Sequence, residues 1–389
     1  MTFLLTYSFF FDLAPISDIM PQTFKLILDT IMTHIKIDPA CAAAVKNFSL
    51  PENLGFGTVM APLMASCTYD KGKWGELELI PYGPISMYPN AKVLHYAQEI
   101  FEGMKAYRVG GQGPFIFRPD QNHLRFNKSA ERMAMPHIPA DLFLKACFEV
   151  ISYCADFVPR RSGESLYLRP FMFATEEALG IKPSEKFRFM VIASPSGSYF
   201  SAGGLSVLIE RHGARAFPGG TGYAKAGGNY AASLLAAIKT KNLGLVQTLW
   251  LDGRDKKYIE EMSGMNFFAV INDELHTPQM NDSILEGITR KSIIQLAKDE
   301  GITVVERKMD IDELITDIKN GHCTEAFACG TAAIIAPIDY LAEESGERYP
   351  LLHHEGKIAN ILREKLLALQ EGRSKDKYNW ISVVEPKNF

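Results

Sequence analysis

The chain lacks the marks of a nucleic-acid binder, a secreted scaffold or a metalloprotein. Its 389 residues hold 41 Lys or Arg against 45 Asp or Glu, a net charge of −4, so no basic excess is available to track a phosphate backbone. Six cysteines, Cys41, Cys67, Cys147, Cys154, Cys323 and Cys329, are dispersed. None forms a C-x-x-C pair or sits near a histidine at zinc-ligand spacing, which predicts reduced thiols and no metal site. Repeats, low-complexity tracts and long charged runs are absent, as is the G-x-x-x-x-G-K-[ST] of a P-loop. "GGTGYA" and "GGQGPF" carry only fragments of a dinucleotide fingerprint and read as turn glycines.

Long apolar runs are scarce too. The one candidate, "MTFLLTYSFFFDLAPISDIM", has no Lys or Arg before Lys25 and is interrupted by Asp12. It lacks the positive n-region of a secretory signal and the length of a membrane span. Residues 1–40 are read as an extension of unassigned role: an amphipathic segment, or an upstream start with Met20 nearer the true beginning. The expectation is a cytoplasmic protein with no membrane and no nucleic-acid partner.

What is present is a 47% hydrophobic, 22% charged composition, enough for more than one core at this length. "DLFLKACFEVISYCADF" has helical spacing and stops before Pro159, while "SLYLRPFMFA" and "FRFMVIAS" read as strands. The small-residue loop "SPSGSYFSAGG" then predicts a boundary. Beyond it come strand "LSVLIER", helix "YAASLLAAIKTKN", strand "LVQTLWL" and a hairpin turning at Asn272-Asp273. Helix 288–300, strand "ITVVERK", helix "IDELITDIKN", strand "EAFACG" and helix "GKIANILREKLLAL" complete the chain. The fold class is α+β, or mixed α/β. The predicted units are a small domain over 41–196, an interdomain loop over 197–204 and a large domain over 205–389.

One stretch bears on chemistry. In "GYAKAGGNYAAS", Lys225 stands among Ala224, Ala226, Gly227 and Gly228. Most such lysines lie on solvated turns. A lysine that forms a Schiff base must instead lose its proton near neutral pH, which burial favours, and small neighbours leave space for a flat ring against the backbone.

The surrounding motifs carry a specific resemblance. "KAGGNYAAS", "LWLDG…YIEEMSGMNFF", "LEGITRKSI" and "FACGTAA", with "LHYAQEIFEGMKAYR", "FRPDQNHLRFNKSAERM" and "SLYLRPFMFA" before them, occur in the order and spacing of the branched-chain amino acid aminotransferases. The chain resembles these pyridoxal 5'-phosphate (PLP) enzymes of fold type IV over about residues 40–385. The resemblance implies a homodimer that moves the amino group of leucine, isoleucine or valine to 2-oxoglutarate.

By that resemblance Lys225 is the catalytic Schiff-base lysine and Glu261 pairs with the pyridine nitrogen. Strand alternation is expected to turn the neighbouring Glu260 the other way. Tyr230 matches the phenol at the cofactor O3′. Arg125, Thr331 and a helix N-terminus at Ile288 and Thr289 match the phosphate-binding groups. Taken singly, Arg125 reads as a solvated helix arginine, Thr331 as a turn residue and Glu261 as exposed.

The implied substrate wall is Tyr96, Phe101, Tyr167 and Tyr199, with Tyr96 reaching across from a partner subunit. Arg169, with the Tyr167 hydroxyl, resembles the group that takes the γ-carboxylate of glutamate; its bland reading is an outward strand arginine. The substrate α-carboxylate is expected near Gly264, Ala332 and Ala333. Arg215 matches a further arginine whose purpose the resemblance leaves open.

Two departures from the animal enzymes stand out. Ala333 and Ala336 replace a C-x-x-C pair, and Gly264 replaces a threonine, a pattern similar to bacterial or plant-like members. The alternatives are a D-amino acid transaminase or 4-amino-4-deoxychorismate lyase on the same fold, or a binding protein without catalysis.

Overall fold

The computed structural model describes residues 34–110, 112–197 and 203–389, so the expectations for most of residues 1–40 and for Tyr199 lie outside the described residues. Strands rich in aromatic and aliphatic residues in the first half build most of a ten-stranded sheet. Its spine is the pair Ser165–Ala174 and Phe187–Ser196, antiparallel and in register over all ten residues, from Ser165 opposite Ser196 to Ala174 opposite Phe187. Leu63–Asp70 and Leu77–Pro81 continue the sheet on one side. On the other side lie Met104–Tyr107 and Phe115–Phe117.

Two helices flank this sheet. Ala140–Tyr153 buries Phe143, Ala146, Cys147 and Val150, one helical face, in the same core as Phe126, Phe189 and Val191. Pro119–Arg132 starts with proline at its first turn and buries Asn122, Arg125, Phe126 and Ser129. Polar residues on the buried face of a helix need partners, and these line the cleft.

The second half forms a nine-stranded mixed sheet. Leu205–Glu210 runs parallel to both Gln247–Leu251 and Ile334–Ala342, while Ile259–Met262 closes one edge antiparallel. The Asn272-Asp273 hairpin forms where its residues predict, with both at positive φ (50° and 63°), a conformation Asn and Asp tolerate. Helix Ile311–Lys319 is capped by Asp310, whose carboxylate accepts the Asp312 N–H at 2.9 Å. It buries Ile311, Leu314, Ile315 and Ile318 in one core.

Helices Ile288–Asp299 and Lys357–Gln370 pack on the opposite side with Tyr107 and Phe117 of the first sheet, so the two halves share this third core. The fold is thus α+β with two sheets. Among the described residues no helix is long and apolar enough to cross a membrane.

Two details differ from the sequence expectation. The predicted helix from Tyr230 to Asn242 is two, Gly227–Ala231 and Leu234–Asn242. Ser233 Oγ between them donates to the Tyr230 carbonyl at 2.7 Å, a local bond that competes with helix continuation. The final strand, Ile381–Val383, returns to pair with Phe115–Phe117 in the first sheet, so the second half is not confined to its own sheet up to residue 389. Pairing is settled by which edge is free, and local sequence does not encode that.

Candidate active site

Lys225 is pinned through its backbone by the first half of the chain. Its N–H donates to Ser129 Oγ at 2.9 Å and its carbonyl accepts the Phe101 N–H at 2.9 Å. Ala224 and Ala226 on either side turn inward and are 1% and 2% exposed. In extended backbone, alternate residues face opposite ways, so the lysine side chain enters the cleft. There Nζ donates to Tyr230 Oη at 2.9 Å and lies 4.8 Å from the centre of the Phe101 ring. The loop is stapled from behind by Asn229, whose Nδ2 donates to the Thr221 and Ala224 carbonyls, each at 2.8 Å.

The space around Lys225 is used differently from the sequence expectation. Both alanines are buried, with Ala226 in the first core. A Cβ on Gly227 would overlap Glu99 Oε1, and only Gly228 faces open space.

Glu261, on Ile259–Met262, is 2% exposed. Its carboxylate pairs with Arg215 and accepts the Leu285 N–H at 3.2 Å. Burial holds its pKa above the ordinary carboxylate value; Arg215, the Leu285 N–H and Lys225 oppose that. Arg215 therefore has a definite place, as the cation behind Glu261.

The neighbouring Glu260 is buried as well, 3% exposed. The register slips where Trp250 faces Glu261 and Leu251 faces Ile259, leaving Glu260 as the extra residue of a β-bulge. Bulges suspend alternation and re-aim side chains. Burial pushes the Glu260 carboxyl up to about 7, with Arg215 pulling it down and Glu261 pushing it further.

Arg125 is no solvated helix arginine. Its Nε and Nη2 each reach the Glu102 carboxylate at 2.8 Å, and Nη1 donates to the Glu286 carbonyl at 3.1 Å. Glu102 is held in turn by Asn122 Nδ2 at 2.7 Å. Arg125 is thereby fixed beside residues 286–288, where Gly287 caps the helix that starts at Ile288. Ile288, Thr289 and Thr331 line a cavity of about 20 Å³, room for a water, together with Lys105, Asn122 and Gln370.

Lys105 is buried and donates to the Ala332 carbonyl at 2.8 Å, tying the 331–333 turn to the first sheet. Ile334, just after that turn, sits at φ 63°, a strained value for a β-branched residue.

On the other side of Lys225, Phe101, Tyr167 and Arg169 meet. The Arg169 guanidinium lies 4.6 Å from the Phe101 ring centre and 5.5 Å from that of Tyr167, and Nη2 donates to Tyr167 Oη at 3.3 Å. Gly264 (φ 75°) lies near the Tyr230 ring, where an added Cβ would come within 3.6 Å of Cε1. Ala332 and Ala333 are half-buried at the turn. Tyr96 is not part of this cluster: it is 40% exposed and donates to the Leu179 carbonyl.

Sequence reasoning missed Glu102, Ser129 and Asn266, whose Nδ2 holds the Leu285 carbonyl at 2.9 Å. Each acts through a partner far along the chain. Only the Glu in "FEGMK" offered a signal.

An amine, a phenol, a buried carboxylate, an arginine and a helix N-terminus thus border one cleft, a donor set that suits a phosphorylated pyridine aldehyde. A family model for amino-transferase class IV matches residues 99–340, and the chain belongs to that family of PLP-dependent transferases. Among curated relatives, the branched-chain-amino-acid aminotransferase of Mycolicibacterium smegmatis is 45% identical over 343 residues, 86% of this chain and 93% of its own. That of Mycobacterium tuberculosis is 43% identical over 354 residues, 89% and 96% of the two chains.

Among solved structures, the T.th. branched-chain amino acid aminotransferase with pyridoxamine 5'-phosphate aligns at TM-score 0.68 and 30% identity, covering 82% of this chain and 99% of that one. Within class IV, the chain belongs with the branched-chain amino acid aminotransferases.

Proposed function

We propose that this chain binds PLP in the cleft around Lys225 and exchanges amino groups between leucine, isoleucine or valine and 2-oxoglutarate. The observation that carries the reading is the meeting of Lys225, Tyr230 and Glu261 beside the Phe101–Tyr167–Arg169 wall. Bound PLP supplies an electron sink for negative charge at the substrate Cα. Glu261 keeps a proton on the ring nitrogen, and Arg215 holds that carboxylate in place. Arg125, the N–H groups of Ile288 and Thr289, and Thr331 bind the phosphate.

Lys225 Nζ takes the proton from the substrate Cα, and Tyr230 Oη positions the amine for it. The Phe101 and Tyr167 rings receive an aliphatic side chain by apolar burial, worth about 0.8 kcal/mol per methylene. Arg169 and Tyr167 Oη receive the γ-carboxylate of glutamate. One site thus serves two half-reactions in turn.

The working form is a cytoplasmic homodimer. Leu234, Leu235 and Ile238, 61%, 79% and 59% exposed on one short helix, supply an apolar face for a second copy. Tyr96 serves the neighbouring site in that arrangement. The test is single-turnover absorbance of the PLP-loaded protein mixed separately with L-leucine, L-glutamate, D-alanine and L-aspartate. Bleaching by leucine and glutamate alone is expected; bleaching by D-alanine instead would overturn the substrate assignment.

A further inference from the structure

Gly227 has no space for a side chain because Glu99 Oε1 occupies it, and the Glu99 carboxylate accepts the Gly227 N–H. Glu99 opens the short strand Glu99–Phe101, paired so that Glu99 faces Phe173 and Phe101 faces Phe171. Residues two apart on a strand share a face, which sets this carboxylate beside the Phe101 ring. Against the same ring, 4.6 Å from its centre, lies the Arg169 guanidinium.

Arg169 is short of partners. Among the described residues no carboxylate lies within 4.0 Å of it. Its buried Nε has no acceptor, and its Nη2 donates only to Tyr167 Oη. Glu99 and Arg169 thus both stand beside the Phe101 ring; burial raises the Glu99 pKa, while the Gly227 N–H and then the Arg169 charge oppose that.

We propose that Glu99 is a specificity-setting residue, the resident counter-charge of Arg169, which neutralises that guanidinium while an apolar side chain occupies the wall and yields it to a γ-carboxylate. The proposal rests on the glutamate-binding role given to Arg169. An arginine left without an anion beside a leucine side chain carries an uncompensated desolvation cost. A second anion brought to the same arginine competes with the first. Glu99 therefore favours branched aliphatic substrates and weakens dicarboxylates, so that one pocket accepts both. Discrimination by a like charge is a general route to specificity.

The test uses Glu99→Gln, which keeps the shape and removes the charge, with Glu99→Asp as the charge-keeping control and Arg169→Ala alongside. Binding of two unreactive acids to each PLP-loaded protein, glutarate and 4-methylvalerate, is measured by calorimetry. The ratio of kcat/KM for glutamate and leucine is measured beside it. Glu99→Gln is expected to move both ratios towards the dicarboxylate by about tenfold, with opposite changes for the two ligands. Glu99→Asp is expected to restore most of the parental ratio.

Ratios unchanged in Glu99→Gln while Arg169→Ala loses glutarate selectively would overturn the role of Glu99 alone. Equal losses for both acids in Arg169→Ala would remove the arginine's assignment and this inference with it. An equal fall for both ligands in Glu99→Gln, with a lowered melting temperature, would make Glu99 a structural residue and also defeat the proposal.

Discussion

Lys225 Nζ and Tyr230 Oη lie 2.9 Å apart, joined by a hydrogen bond across five residues of chain that turn from an extended loop into a short helix. The lysine contributes its backbone to the fold through Ser129 and Phe101, while its amine donates to this phenol and lies over the Phe101 ring.

Lys225→Ala is therefore expected to abolish transamination and leave the melting temperature within a few degrees of the parent. The backbone anchors survive the substitution, whereas the group that moves the proton does not. Turnover measured with leucine and 2-oxoglutarate decides it; activity retained at even a few per cent would assign the proton transfer elsewhere.

Arg169→Ala is expected to lower kcat/KM for glutamate by about a hundredfold, the range for losing a charge-assisted hydrogen bond. Leucine should change by no more than about fivefold, because it meets the Phe101 and Tyr167 rings instead. Matched losses for the two substrates would show that the arginine acts on the site as a whole.

The Arg125–Glu102 pair is buried on both sides, with the carboxylate fully covered. Removing one charge strands the other, which costs about 3–5 kcal/mol. Glu102→Gln is expected to lose stability on that scale in urea unfolding and to weaken PLP binding. A loss under about 1 kcal/mol would mean that solvent or relaxation reaches Arg125.

Glu260 sets a pH dependence. Its carboxyl is raised to about 7 in the fold, chiefly by burial, against about 4.3 when unfolded. Between these values the folded state binds the extra proton, so stability is full below about pH 4 and falls as pH rises to 7. Glu260→Gln should match the parent at pH 4 and exceed it by on the order of 3 kcal/mol above pH 7. Parallel stability curves for the two proteins would show that the carboxylate finds compensation when ionised.

The particular positions show where local reading succeeds. Ser165–Ala174 was legible from its run of aromatic and aliphatic residues, and Ile311–Lys319 because burial of one face imposes a period of 3.6 on the sequence itself. The Asn272-Asp273 turn was legible because few residues tolerate positive φ. The break at Ala232–Ser233 was not, since propensity alone favours continuing a run so rich in alanine and leucine. The bulge at Glu260 was hidden too, because a one-residue slip depends on the partner strand.

The sequence by itself determined the chemistry available: a lysine among small residues, a Glu-Glu pair, a Tyr-x-Arg strand and the motif order that ties them to one family. Tertiary structure decided which of these groups meet. It set Glu102 against Arg125, Ser129 against the backbone of Lys225, Arg215 against Glu261 and Glu99 against Gly227. Hydrogen bonds and ion pairs act over a few ångströms, whereas each of these partnerships spans 23 residues of chain or more. Tertiary packing brings such partners within that reach, inside each half for Glu102–Arg125 and Arg215–Glu261 and across the two halves for Ser129–Lys225 and Glu99–Gly227.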